Sequence, residues 1–243
     1  MKNHISTIAI CLAIIAGLFI AGESYKYKFR AAETISVTGM SEKDFTSDLV
    51  VWGGSFGRDA YTLKDAYANL KQDENAIKSY LLSKGIAEKE IIFSSVSMNK
   101  NYQRKYDDKG NEISADFSGY SLTESVRVES KEIEKVEKLS REITELLEKD
   151  IQLNSNTPEY YYTKLNELKI DLLAKASADA KNRAETIAGN SGSSIKGLNK
   201  ATMGVFQITG KNQNEDYSYG GAFNTSSKLK TAVITLKVDY RLK

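Results

Sequence analysis

Residues Leu165–Ala188 read LNELKIDLLAKASADAKNRAETIA. Leu165, Leu168, Leu172, Ala176, Ala180, Ala184 and Ile187 recur at the spacing of one helix face, which predicts a single long helix. The second half of that stripe is alanine, so the helix can approach a sheet or another helix closely. On its C-terminal side, strands are predicted at Ile195 to Thr209 and Leu229 to Leu242. In the latter, Ile234, Leu236, Val238 and Tyr240 alternate with Thr235, Lys237, Asp239 and Arg241, the pattern of a strand with one wet face. Residues 210 to 226 between them are polar and glycine-rich, a loop.

On its N-terminal side, Ile35 to Gly39 reads as a short strand and Phe45 to Phe56 as a longer one. Val50, Trp52 and Phe56 share one face of the latter, and Leu49 and Val51 the other, which suggests a central strand. A first helix is expected over 62 to 84, with Leu63, Ala66, Tyr67, Leu70, Ile77 and Leu81 as its stripe. Thr62 with Asp65 resembles a capping box, and Gly85 is a suitable residue past the end. Ile91 to Tyr106 reads as one long strand with Ile92, Val96, Met98 and Tyr102 on one face. A turn follows over Asp107 to Glu112. The strand Phe117 to Glu129 turns Leu122, Val126 and Val128 inward; Glu124 falls on that same face, where a carboxylate has no evident reason to be. Ser130 caps a helix to about Glu148 with the stripe Ile133, Val136, Leu139, Ile143 and Leu147. Pro158 to Thr163 is a strand. The order is ββαββ, then αβα, then ββ, with three long helices. Short turns between strands imply antiparallel sheets, so the fold is α+β.

The chain has 243 residues and a formal net charge of +2, with one Cys, one His and one Pro. The balanced charge gives no footprint for nucleic acid. His4 and Cys11 both lie in the first 22 residues, so the body from Glu23 onward contains neither and carries +1. That excludes Ser–His–Asp and Cys–His catalysis there, and a zinc site of nitrogen and sulfur ligands. No cofactor and no metal are expected.

Thr7 to Gly22, TIAICLAIIAGLFIAG, is uncharged and apolar all round. As a helix it spans about 24 Å, and starting at Ile5 adds about 3 Å. Three readings stand: an uncleaved signal anchor, a cleaved export signal and a buried helix of the soluble domain, the last disfavoured because the run is apolar all round and not on one stripe. Ile20-Ala21-Gly22 is a poor cleavage site, which favours the anchor. The expected division is residues 1–30 as anchor and linker and residues 31–243 as the folded domain. Lys26, Lys28 and Arg30 follow the run and, with Tyr27 and Phe29, suit a membrane–water interface as well as a plain linker. Charge counting would keep the body in the cytoplasm; the short basic start and the Cys-free body fit export.

Candidate motifs are weighed against plainer readings. Asp107 to Glu112 lacks the spacing of a calcium loop and reads as a hairpin turn. Gly53, Gly54 and Gly57 lack the Gly-Lys-Ser/Thr of a phosphate loop and read as a bulge or strand end. The charges of 131–148 alternate as a solvated helix face. Tyr160, Tyr161 and Tyr162 read either as a strand alternating between core and surface or as an interface. Tyr217, Tyr219 and Phe223 read either as a mobile loop or as a contact surface.

Several pieces together resemble the SIMPL domain family of bacterial envelope proteins. Ala178 to Ala188, ADAKNRAETIA, is similar to the family's ADAKxRAExLA helix. Ile35 to Gly39 resembles its opening V-x-V-x-G strand, and Lys84-Gly85-Ile86 with Glu90-Ile91 its helix-to-strand turn. Gly119-Tyr120 before Val126-Arg127-Val128, and the closing strand from Val233 to Leu242, complete five pieces in order. The resemblance implies export, an α+β fold, no established catalytic residues, an association with envelope or oxidative stress tolerance, and homo-oligomers, some of them rings. The expectation is a non-enzymatic protein at the periplasmic face of the inner membrane, held there through residues 5–22, or soluble in the periplasm after cleavage. It would act by oligomerisation or partner binding; the alternative is a small-ligand or lipid-binding module.

Overall fold

The computed structural model describes residues 2–30, 33–213 and 218–243, with side chains in its first helix described from Leu12 to Lys26. That helix, α1, runs Lys2–Arg30. The body follows as β1 (Thr34–Thr46), β2 (Leu49–Ala60), α2 (Leu63–Ser83), β3 (Ile91–Phe93), β4 (Ser97–Tyr106) and β5 (Glu112–Ser130). Then come α3 (Ile133–Glu142), β6 (Leu153–Ser155), β7 (Glu159–Tyr161), α4 (Leu165–Asn190), β8 (Ile195–Met203), β9 (Gln207–Gly210) and β10 (Leu229–Leu242). The fold is α+β, and its strand ladders are antiparallel, as the sequence predicts.

The strands form two sheets. In the first, β10 lies between β1 on one side and β8 and β9 on the other. Even-numbered residues of β10 from Ala232 to Tyr240 point at α4, and Leu168, Leu172, Ala176, Ala180 and Ala184 meet them in one core. The alanine stripe is what seats this helix. A Cβ on Gly39 would lie 2.1 Å from the Ala176 carbonyl and 2.7 Å from the Ala180 Cβ, so β1 and α4 touch backbone to backbone there. Asp179 fixes the register of that contact: its Oδ2 accepts from the Met40 amide at 2.9 Å and from Arg183 at 2.8 Å. Both bonds hold the Asp179 carboxyl below the usual range, the amide foremost.

In the second sheet, β5 and β2 form the centre, β3 and β4 extend β5, and β6 and β7 extend β2. Helices α2 and α3 cover one face. The core there is built on Trp52, Phe56, Leu70, Ile77, Leu81, Leu122, Val126, Val128, Val136 and Leu139. Thr62 caps α2 by accepting from the Asp65 amide, and Gly85 takes φ +82 past its end, both as predicted. Arg58 clamps this half together, holding Asp73 of α2 through two nitrogens and Asp150 through its carboxylate and carbonyl.

Several expectations need correction. The run from Phe45 to Phe56 is two strands. The chain leaves the first sheet at Ser47, whose amide donates to the Lys228 carbonyl, and enters the second at Asp48, whose amide donates to the Tyr161 carbonyl. Asp48 then accepts from both the amide and hydroxyl of Thr163, so the two crossings between the sheets are fastened to each other. The long strand Ile91 to Tyr106 breaks after Phe93, and its two parts differ in phase: Ile92 pairs with Arg127 on the outer face, whereas Met98 pairs with Leu122 on the helix side. Ile91 and Phe93 pack on the core, whereas Ile92, Val96, Met98 and Tyr102 are exposed. Gly53, Gly54 and Gly57 are no bulge or strand end. They lie within an unbroken β2–β5 ladder, where a Cβ on Gly57 would meet the Leu122 carbonyl at 2.7 Å. Helix α3 gives way to a 3-10 segment over Ile143–Lys149. With three residues per turn the stripe steps from Ile143 to Leu146 instead of Leu147. Leu146 is 1% exposed and Leu147 57%. The expected strand Ile195 to Thr209 is two, β8 and β9.

Candidate functional site

One hairpin of the body carries a group of exposed apolar side chains, Met98, Tyr102, Tyr106, Ile113 and Phe117. Strand β5 is longer than its neighbour β2, whose ladder ends at the Ala60–Tyr120 pair. Beyond that pair, residues 112–119 of β5 are bonded only to β4, so the two strands run on as a ribbon. Asp107 ties its turn by accepting from the Lys109 and Asn111 amides, and Gly110 takes φ +81. Those bonds to the Asn111 backbone and side chain hold the Asp107 carboxyl below its ordinary value. At the root of the ribbon Gly119 has φ +134, and a Cβ there would lie 2.6 Å from the Ala60 carbonyl.

One face of this ribbon is aromatic. Tyr102 and Phe117 are cross-strand partners with ring centres 5.9 Å apart, and Phe117 also meets Tyr61 at 5.7 Å and Tyr120 at 5.2 Å. Tyr61, Tyr102, Tyr106 and Ile113 are at least half exposed. The cluster continues into a groove of about 570 Å³ lined by Leu63, Lys64, Tyr67, Val96, Met98 and Leu122. Tyr61 and Leu63 flank the cap of α2, and Met98 and Tyr102 share β4, so cluster and groove form one surface.

Beneath that surface sits Glu124, two residues from Leu122 on the same side of β5 and 5% exposed. Its Oε2 has no hydrogen-bond partner among the described residues. Burial raises its pKa, the Glu74 charge adds to this, and Lys71 opposes it. Lys71 itself is ion-paired with Glu74.

The ribbon's charges are sorted by strand. Lys100, Arg104 and Lys105 lie on β4, Glu112 and Asp116 on the free part of β5, and Arg104–Glu112 and Lys105–Asp116 pair across the ribbon at 3.0 and 2.8 Å.

The expected interface residues fall elsewhere and do not form one group. Tyr160 packs against the core of the second sheet and donates to Glu137 at 2.9 Å; burial and that bond push its pKa up to about 12. Tyr162 packs against the core of the first sheet and meets Phe45 at 4.8 Å between ring centres. Tyr161 lies between them and donates to Glu159. The three thus span the junction between the two sheets. Tyr219 is fully exposed and borders a cleft of about 490 Å³ lined by Met40, Val205, Gln207, Ser218, Val233 and Thr235. Phe223 is half exposed and bridges to Ile208. Tyr217 lies outside the described residues. In α1, Leu12, Ile14, Ile15, Leu18, Phe19 and Ile20 are exposed, and Lys26 pairs with Glu23 at 3.2 Å. The side chains of Lys28 and Arg30 lie outside the described residues. Among the described residues no helix is long and apolar enough to cross a membrane.

The sequence reading places Tyr102 and Phe117 on strands but does not offer Tyr61, Tyr102 and Phe117 as a contact surface. The signal available was the length of β5 beyond its β2 partner, which is a property of pairing and not of composition.

No curated protein matches the chain. Residues 35–238 match the SIMPL family model, described as a protein of unknown function (DUF541). That match covers most of the chain, from the strand carrying Gly39 through the Asp179–Arg183 helix to the closing strand, and the chain belongs to the SIMPL family.

Proposed function

We propose that this protein is a non-enzymatic envelope module, tethered to the inner membrane by its N-terminal helix, that works by self-association through the β4–β5 hairpin. The observation that carries the reading is the continuous exposed surface from Leu63 and Met98 to Tyr102 and Phe117. Contiguous apolar patches of this kind mark interaction surfaces. Tyrosine-rich ones are typical of protein interfaces.

Charge selects the partner. Pairing β4 with β4 of a second copy would set Lys100, Arg104 and Lys105 against their own kind, and pairing the free part of β5 with itself would do the same for Glu112 and Asp116. Pairing β4 of one copy with β5 of the next alternates the signs and continues an antiparallel sheet. Such a head-to-tail contact closes into a ring or runs on as a filament. A body without His or Cys and an association of its family with envelope stress are consistent with a scaffold rather than a catalyst.

Light scattering on the full chain in mild detergent tests this. The expected result is an assembly larger than a dimer at tens of micromolar, reduced to monomer by Tyr102→Ser with Phe117→Ser. A strict monomer at that concentration contradicts the proposal.

The groove favours a second reading, a site for an aliphatic ligand, because its lining is apolar apart from Lys64. A fatty acid that raises the melting temperature of the wild type, and not of Met98→Asp, would support it; no shift in either would remove it.

A further inference from the structure

The first sheet has a second face. Helix α4 covers the side to which Ala232, Ile234, Leu236, Val238 and Tyr240 point, and the odd-numbered residues of β10 face the other way. On that open face Lys237 sits between Thr38 of β1 and Thr202 of β8, Asp239 between Ser36 and Lys200, and Arg241 between Thr34 and Gly197. Lys196 lies at the same end, on a β8 irregularity opposite Arg241 and Leu242. None of Lys196, Lys200, Lys237 and Arg241 is in an ion pair among the described residues. The opposite end of the face is acidic: Glu42 and Asp44 are both in β1, and Asp44 is held by Lys211 and Thr231.

The basic end is the end at which the tether arrives. The apolar run stops at Gly22, α1 continues to Arg30, and β1 starts at Thr34 opposite Arg241. Eight helical residues and a few extended ones span at most about 25 Å. Lys26, Lys28 and Arg30 lie along that stretch. A polarised sheet face, with its unpaired cations next to the tether, complements a negatively charged bilayer.

We propose that the Lys200–Lys237–Arg241 end of this open face lies against the anionic phospholipid surface of the membrane that holds α1. The proposal rests on the tether reading and adds an orientation to it. Docked this way, the body is held by one sheet at the bilayer. Each Lys or Arg brought to such a surface strengthens adhesion about fivefold.

The test uses the full chain with Cys11→Ser, labelled with an environment-sensitive dye at Thr202→Cys or, as a control, at Asp108→Cys in the hairpin turn. It is mixed with phosphatidylcholine vesicles with or without phosphatidylglycerol, carrying a headgroup quencher. The expected result is at least about twofold more quenching at position 202 in the anionic vesicles, lost at about 1 M salt and in Lys200→Glu with Lys237→Glu. Position 108 should not respond. Equal quenching at 202 in both vesicle types, or an unchanged response in the charge-reversed variant, overturns the proposal. Co-flotation separates it from the tether. A chain that floats with neutral vesicles and shows no charge-dependent quenching keeps the tether and loses the docked face. A chain that floats only with anionic vesicles keeps the face and loses the tether. A chain that floats with neither loses both.

Discussion

Glu124 is the residue at which sequence and structure raise the same question. Its alternation phase puts a carboxylate on the inward side of β5, and the structure buries it there with Oε2 unpartnered. An unsatisfied buried polar group costs about 1–3 kcal/mol. Its folded-state pKa is raised, chiefly by burial, so the folded chain favours the protonated form. The stabilisation this gives is complete below the ordinary carboxylate value near 4.5 and is lost as pH rises through the raised folded value. Glu124→Gln removes that dependence. Urea denaturation should show the variant more stable than wild type at pH 7, with the gap closing as pH falls toward 4. A gap that widens toward low pH, or a variant less stable at pH 7, would show that the carboxylate is satisfied. The family motif is legible at this scale too: Gly39, Ala176, Ala180 and Asp179 are the parts of one contact between β1 and α4. That is packing and register, and it requires no chemistry of catalysis.

At the scale of elements, the sequence was most legible where one face is buried against a single neighbour. The caps of α2, the stripe of α4 and the phase of β5 and β10 all follow from local pattern. It failed where the deciding partner is distant in sequence. Nothing local breaks the strand at Ser47, because the bonds that turn the chain come from Lys228 and Tyr161. Ile92, Val96, Met98 and Tyr102 share one phase in the sequence, yet the break after Phe93 leaves Ile92 on the outer face, and β4 carries Met98 and Tyr102 beyond the covered part of the sheet. The 3-10 ending of α3 is a third such case, and it can be measured. Leu146→Ala should cost about 2–4 kcal/mol by chemical denaturation, and Leu147→Ala under about 1 kcal/mol. Equal losses, or the reverse order, would mean that the helix continues as an α-helix to Lys149.

At the scale of the whole molecule, the protein is built on two cores, one under each sheet. The first sheet follows α1 and carries the open face with Lys200, Lys237 and Arg241 at one end. The second projects the hairpin, and the Asp48–Thr163 bonds and the Tyr160–Tyr162 segment join the two. The candidate surface was not legible because it is created by what β5 lacks among the described residues, a second partner strand beyond Tyr120. The expectation of self-association came from the family resemblance, whereas the surface that would carry it came from the structure. Head-to-tail pairing of hairpins is therefore the claim to test most directly. Two populations of the full chain are prepared with Cys11→Ser, one with Asn101→Cys on β4 and the other with Ser118→Cys on β5. Mild oxidation of the mixture should give a disulfide between the two populations, and each population alone should give little. Strong cross-linking of either population with itself, or none in the mixture, would contradict head-to-tail assembly through this hairpin.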